Sequence, residues 1–189
     1  YRIKTPDGKV KWINASAKGS WDRDGKINRI AGALSDITAK KEADEKVKRM
    51  AYFDSLTGLP NRVRLVEKFN ALSAKTGREL ALIYIDLDSF KLINNSYGHA
   101  IGDKVLIEIA NRLARSCTDR MFLSRLGGDE YAILSWDYGS EDVLTEFVGN
   151  LMRSIEKMIR IDDYNISLSA NMGIAAYPKN AENFDVLIL

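Results

Sequence analysis

Residues 80–85, Leu-Ala-Leu-Ile-Tyr-Ile, form an unbroken apolar run that ends abruptly in two carboxylates, Asp86 and Asp88. A run of this length without polar interruption predicts a strand buried on both faces. The segments around it alternate between two periodicities. Residues 61–74 read as an amphipathic helix with Val63, Val66, Phe69 and Leu72 toward a core, and residues 102–116 as another with Val105, Ile109 and Leu113 on one side. Residues 122–126 and 131–136 read as strands joined by Gly127-Gly128-Asp129-Glu130, a hairpin. Residues 141–159 are predicted to be a helix with Val143, Phe147, Leu151 and Ile155 inward. Between residues 165 and 172, Ile166, Leu168, Ala170 and Met172 alternate with polar residues, as in a strand with one buried face. After the leading helix the order is strand, helix, strand, strand, helix, strand, the ferredoxin-like α+β arrangement.

The first part of the chain is different. Three strands are predicted, over residues 1–5, 10–21 and 27–37, separated by Pro6-Asp7-Gly8-Lys9 and Asp22-Arg23-Asp24-Gly25. Three such strands make a sheet but little core. A helix over residues 38–53 follows, with Thr38 as the expected N-cap. Ala43, Val47 and Met50 form its only apolar stripe. That stripe suits a two-helix seam or a solvated connector.

Composition excludes several classes. Hydrophobic residues are 46% and charged residues 29% of the 189, an ordinary globular balance. A formal net charge of +2 gives no support to a nucleic-acid partner. The single cysteine, Cys117, cannot close an internal disulfide, so a reducing, cytoplasmic setting is expected. No stretch approaches the roughly 20 apolar residues of a membrane span. The chain opens on Tyr1, so a longer parent protein, with a membrane anchor or sensor upstream, is compatible with it.

The acidic residues carry the chemistry. In a ferredoxin-like sheet the first strand lies beside the hairpin, so Asp86 can converge with Asp129 and Glu130. Carboxylates about 4 Å apart repel by about 4 kcal/mol at an effective dielectric of 20. Chains keep such groups together to bind a cation or to raise a pKa for catalysis. Oxygen ligands of this kind favour Mg2+ over zinc, and polymerase-type palms hold two metals between such carboxylates. Gly127 and Gly128 allow close backbone approach to a ligand. After Asp88, the turn beginning at Ser89, Phe90 and Lys91 offers amides and a positive charge to phosphates. Asn94 and Asp103 together could read a guanine edge, while each alone is equally explained as a turn or helix cap. His99, the only histidine, has no nucleophile spaced for a triad and reads as a turn residue.

These residues fall in recognisable motifs. DSLTGLPNR (54–62), IDLDSFKLINNSYGHAIGDKVL (85–106), RLGGDEYAIL (125–134) and NMGIAAYP (171–178) occur in the order found in GGDEF domains, and the segment 54–189 resembles that family. The resemblance implies a palm-type βαββαβ GGDEF domain, truncated at its C-terminus, that condenses two GTP molecules into cyclic di-GMP and two pyrophosphates. It implies that Asp86, Asp129 and the Leu87 carbonyl hold two Mg2+ ions, or Mn2+ in their place. Asp129 would help to deprotonate the attacking 3′-hydroxyl and Glu130 would support metal or nucleotide binding. Gly127 and Gly128 would lie against GTP, Phe90 and Lys91 would meet its phosphates, and Asn94 and Asp103 would select guanine. One domain resembles half an active site, so a homodimer is implied.

There are departures from the pattern. Tyr131 stands where phenylalanine is usual, Asn95 where aspartate is frequent, and Asn171 where serine is common. The family's product-inhibition motif, Arg-x-x-Asp, would fall on Thr118-Asp119-Arg120-Met121 and is missing. Residues 1–37, through PDGKVKWI, DRDGKINRIAG and Asp36-Ile37-Thr38, resemble the C-terminal part of a PAS sensor domain, and residues 38–53 the signalling helix that follows one. The signal ligand is not readable from this half. The resemblance leaves a second reading, a GTP-binding module that regulates a cyclic di-GMP phosphodiesterase (EAL) domain further along the parent protein. A palm acting on nucleic acid is disfavoured by the lack of a basic groove.

Overall fold

Two aspartate- and glycine-containing turns set the N-terminal architecture. The structure, a computed structural model, describes residues 1–75 and 79–188 and divides into units Tyr1–Ala51 and Tyr52–Leu189. In the first unit, β1 (Arg2–Lys4), β2 (Val10–Trp21) and β3 (Ile27–Asp36) form an antiparallel sheet in that order. The pairing sets Ala15 opposite Leu34, Ala17 opposite Gly32 and Gly19 opposite Ile30, so one face is apolar. Ile30 and Leu34 are exposed on it. Helix α1 (Thr38–Tyr52) begins one residue earlier than a Thr38 cap would place it. Ile37 holds the cap position, its carbonyl accepting from the Lys41 amide at 3.0 Å, and the carboxylate of Asp36 before it accepts from the Thr38 amide at 3.0 Å and its hydroxyl at 2.6 Å. Thr38 Oγ1 in turn accepts from the Trp12 amide at 2.9 Å. Val47 and Met50 lie open on α1.

The second unit opens with α2 (Arg62–Ser73), capped by Asn61, whose side chain accepts from the Arg64 amide at 3.1 Å. Its inward stripe is Leu65, Phe69 and Leu72, with Val66 at the edge. Val63, expected inward, is 54% exposed, because it lies about 200° around the helix from Leu65. The apolar run becomes β4 (Leu80–Leu87), followed by α3 (Phe90–Tyr97) and α4 (His99–Ser116). Next come β5 (Met121–Gly127), β6 (Glu130–Trp136), α5 (Glu141–Glu156), β7 (Ile159–Ile161), β8 (Tyr164–Ile166), β9 (Ala170–Tyr177) and α6 (Phe184–Leu187). The main sheet runs β5-β6-β4-β9 and is antiparallel throughout, the ferredoxin-like order with β4 in the interior.

Both faces of β4 are covered, as the run requires. Ile83, Ile85 and Leu87 pack with Tyr131 and Ile133 under α4 and α5; Leu80 and Leu82 pack with Ala132 and Leu134 under α2 and α6. Several expectations need correction. The turn expected at residues 89–91 is the start of a helix, α3, and α4 starts at His99 rather than at residue 102. Helix α5 stops at Glu156, Val143 faces solvent, and Leu144 takes the inward place. The single strand expected over residues 165–172 is split between β8 and β9. Ile166, Leu168 and Ala170 stay buried across the break, but Ile166 pairs with β7 and Ala170 with β4.

Candidate active site

Strand register brings the acids together. Asp86 is the cross-strand partner of Glu130, and the Leu87 amide donates to the Asp129 carbonyl at 3.2 Å. Burial, and then the charges of Asp129, Glu130 and Asp88, hold the Asp86 carboxyl above the usual carboxylate range. Asp88 is tied back to the start of β9: its amide donates to the Ser169 carbonyl at 2.9 Å, and Ser169 Oγ donates to its carboxylate at 3.2 Å. Tyr84, two residues before Asp86, donates its hydroxyl to Glu130 Oε1.

The hairpin is anchored from below by Arg125, which follows Ser124 in β5. Arg125 is 7% exposed. Its Nη2 and Nε donate to the Gly128 carbonyl at 2.6 and 3.2 Å, and its Nη1 to Asp54 Oδ1 at 2.7 Å. Asp54 also accepts from the Thr57 amide at 2.8 Å and hydroxyl at 2.6 Å. Burial raises the Asp54 carboxyl, but the hydrogen bonds from Thr57 and the Arg125 guanidinium outweigh it, and the group sits below its ordinary value. Gly128 turns the chain at φ 51°, a left-handed geometry that a side chain would strain. Tyr131 is fully buried, and its hydroxyl donates to the Leu106 carbonyl of α4 at 2.9 Å.

The predicted nucleotide residues cluster on α3 and α4. Ser89, in a left-handed conformation, leads into α3 without capping it by its side chain. The first amides of a helix lack partners within it and can face an anion. Phe90 offers only its backbone there, because its side chain is 7% exposed and belongs to the core. Lys91 is exposed beside it. Asn94 Oδ1 is buried and has no hydrogen-bond partner. A methyl group at Gly102 would come within 1.9 Å of that oxygen, so α4 can approach Asn94 only with glycine there. Asp103 is exposed inside α4 and is not its N-cap.

The donor set fits a hard divalent cation. Among the described residues no three His, Cys, Asp or Glu side chains form a closed metal cage. Two carboxylates and a strand-end carbonyl instead suit an ion of the Mg2+ type, which keeps water and takes its remaining ligands from phosphates. The mutual repulsion felt at Asp86 is what such a charge would relieve.

The family profile described as "Diguanylate cyclase, GGDEF domain" matches residues 51–189. The chain belongs to the GGDEF family. The chain is 36% identical over 161 aligned residues to diguanylate cyclase TpbB of Pseudomonas aeruginosa, covering 82% of this chain and 37% of that protein. It is 32% identical over 155 residues to MucR of the same species, a bifunctional diguanylate cyclase and cyclic di-GMP phosphodiesterase, covering 80% of this chain and 22% of MucR. The isolated GGDEF domain of TpbB superposes with a TM-score of 0.69 at 35% identity, over 72% of this chain and 82% of that one. The chain thus spans well under half the length of these curated relatives. No helix among the described residues is long and apolar enough to cross a membrane.

Arg125 and Tyr84 escaped prediction. The signal for Arg125 was a guanidinium inside a strand expected over residues 122–126; a buried arginine needs partners, and here they are Asp54 and the hairpin.

Proposed function

We propose that this protein is a diguanylate cyclase that joins two GTP molecules into cyclic di-GMP and releases two pyrophosphates. The observation that carries the reading is the register of β4 on β6, which sets Asp86, Asp129 and Glu130 at one end of the sheet. In the reaction the 3′-oxygen of one GTP forms a bond to the α-phosphorus of the other, the bond from that phosphorus to the pyrophosphate oxygen breaks, and the exchange is repeated in the opposite sense. Asp129, on the hairpin tip, would accept the 3′-hydroxyl proton. Asp86, Asp129 and the Leu87 carbonyl would hold divalent cations, Mg2+ or Mn2+, whose charge offsets that of the phosphates. The α3 amides and Lys91 orient the phosphate tail, and Gly127 and Gly128 let the backbone lie against the nucleotide. Asn94, with its unpartnered buried oxygen, and Asp103 read the guanine edge. Positioning and charge neutralisation then carry most of the rate. Because one domain binds one GTP, the product requires two copies facing each other.

Residues 1–37 are read as the end of a PAS sensor, and α1 as the connector to the cyclase, in a protein whose cyclase works in the cytoplasm. A second reading is a GTP-binding module that controls a phosphodiesterase domain; the likeness to bifunctional MucR favours it. Incubation of the full-length protein with GTP and Mg2+ separates the two. Cyclic di-GMP formation that disappears in Asp129→Ala supports the cyclase. GTP binding without product, with phosphodiesterase activity that responds to GTP, supports the module.

A further inference from the structure

We propose that Tyr84 is a positioning residue for the acidic site, its hydroxyl fixing the carboxylate of Glu130. The proposal rests on the cyclase reading above. Alternation along β4 puts Tyr84 and Asp86 on the same face. Strand β6 sets Glu130 opposite Asp86 and Ala132 opposite Tyr84, so Glu130 is the diagonal neighbour of Tyr84, within the reach of a long side chain. On its other side Tyr84 faces Gly173 of β9. With only a methyl group and a hydrogen as direct cross-strand neighbours, the ring is free to lean along the face, and its hydroxyl meets Glu130 Oε1.

The chemistry of the donor matters. Glu130 shares the end of the sheet with Asp86 and Asp129, and like charges drive a flexible carboxylate outward to water. A phenol holds it in place without cancelling its charge, and leaves Oε2 and both aspartates open to a cation. A lysine or arginine at position 84 would neutralise the carboxylate and compete with the cation. Outer partners of this kind orient ligating carboxylates, and their loss typically weakens metal affinity or activity by about 10–100-fold.

The test uses the full-length protein and three variants, Tyr84→Phe, Glu130→Ala and the double variant. Mn2+ binding in the presence of GTPαS is followed by electron paramagnetic resonance, beside kcat and KM for GTP. Tyr84→Phe should keep its fold by circular dichroism, bind Mn2+ about 10-fold more weakly, and lose kcat with KM for GTP changed less. In the Glu130→Ala background, Tyr84→Phe should change neither quantity. Equal Mn2+ affinity in wild type and Tyr84→Phe overturns the proposal. So does an undiminished effect in the Glu130→Ala background, or a wild type that takes up no Mn2+. A wild type that makes no cyclic di-GMP but shows the Mn2+ difference fails the cyclase reading and supports the role of Tyr84.

Discussion

Replacing Arg125 with methionine, a side chain of similar length without charge, tests whether the hairpin is held from the start of the domain. The change removes three hydrogen bonds, one to Asp54 and two to the Gly128 carbonyl. It leaves Asp54, whose side chain is only 20% exposed, as an uncompensated charge. Breaking a buried pair from one side costs about 3–5 kcal/mol. Asp54 keeps the Thr57 amide and hydroxyl, so the lower end, about 3 kcal/mol, is expected. For a domain of this size that lowers the unfolding midpoint by about 10 °C. The pH dependence has a definite sign. In the wild type Asp54 titrates below its unfolded value, so its contribution is full above the ordinary carboxylate range and is lost as pH falls through the folded value. Without Arg125 the Asp54 carboxyl loses a partner that favours its charged form, so the variant has less stability to lose as Asp54 is protonated. The stability gap between the two proteins should therefore narrow from pH 7 to pH 3. Urea unfolding across that range measures it. A loss below about 1 kcal/mol at pH 7, the level of a surface pair, would refute the reasoning, as would a gap that widens on acidification.

Three further outcomes are expected. GTP should bind more tightly than ATP by calorimetry, and Asp103→Ala should erode that preference by about 1–3 kcal/mol; equal affinities in the wild type would count against the guanine assignment. Cyclic di-GMP should not inhibit through residues 118–121, because Thr118 cannot make the bidentate phosphate contact of an arginine; competition at micromolar product that vanishes in a Thr118 or Met121 variant would show otherwise. Val47→Asp should weaken dimerisation through the exposed stripe of α1 and lower turnover with GTP binding retained; the check is sedimentation and rate per chain across dilution of the full-length protein.

Local signals carried the reading a long way. An apolar run of one length fixes a two-sided strand, and the element order then sets the hairpin beside it, so the meeting of Asp86 with Asp129 and Glu130 is legible in the sequence. Errors of phase arose where an apolar residue faces solvent: Val63 and Val143 look like core residues, and only packing shows that Leu65 and Leu144 are. Residues 167–169 alternate like a strand yet lie between β8 and β9, because alternation reports burial and not membership of a ladder. Thr38 reads as a cap, yet it lies inside α1 and its hydroxyl oxygen accepts from the Trp12 amide on β2, a partner no local pattern shows. Least legible were pairings between distant residues, Tyr84 with Glu130 across 46 positions and Arg125 with Asp54 across 71. No local pattern encodes these; they exist only once the sheet is assembled.

The hydroxyl of Tyr131 has a consequence for control. It rivets the strand that carries Glu130 to a main-chain oxygen of α4, three residues beyond Asp103. The Asp103 side of α4 and the Glu130 end of β6 are thereby parts of one stiff plate, with no room at a fully buried ring for one to slide past the other. A plate of this kind is a poor place to install a switch. If the proposed two-copy cyclase holds, such a plate works as a die that presses only when its twin is brought opposite, and its rate would be set by how often two plates close on each other and not by any rearrangement inside one.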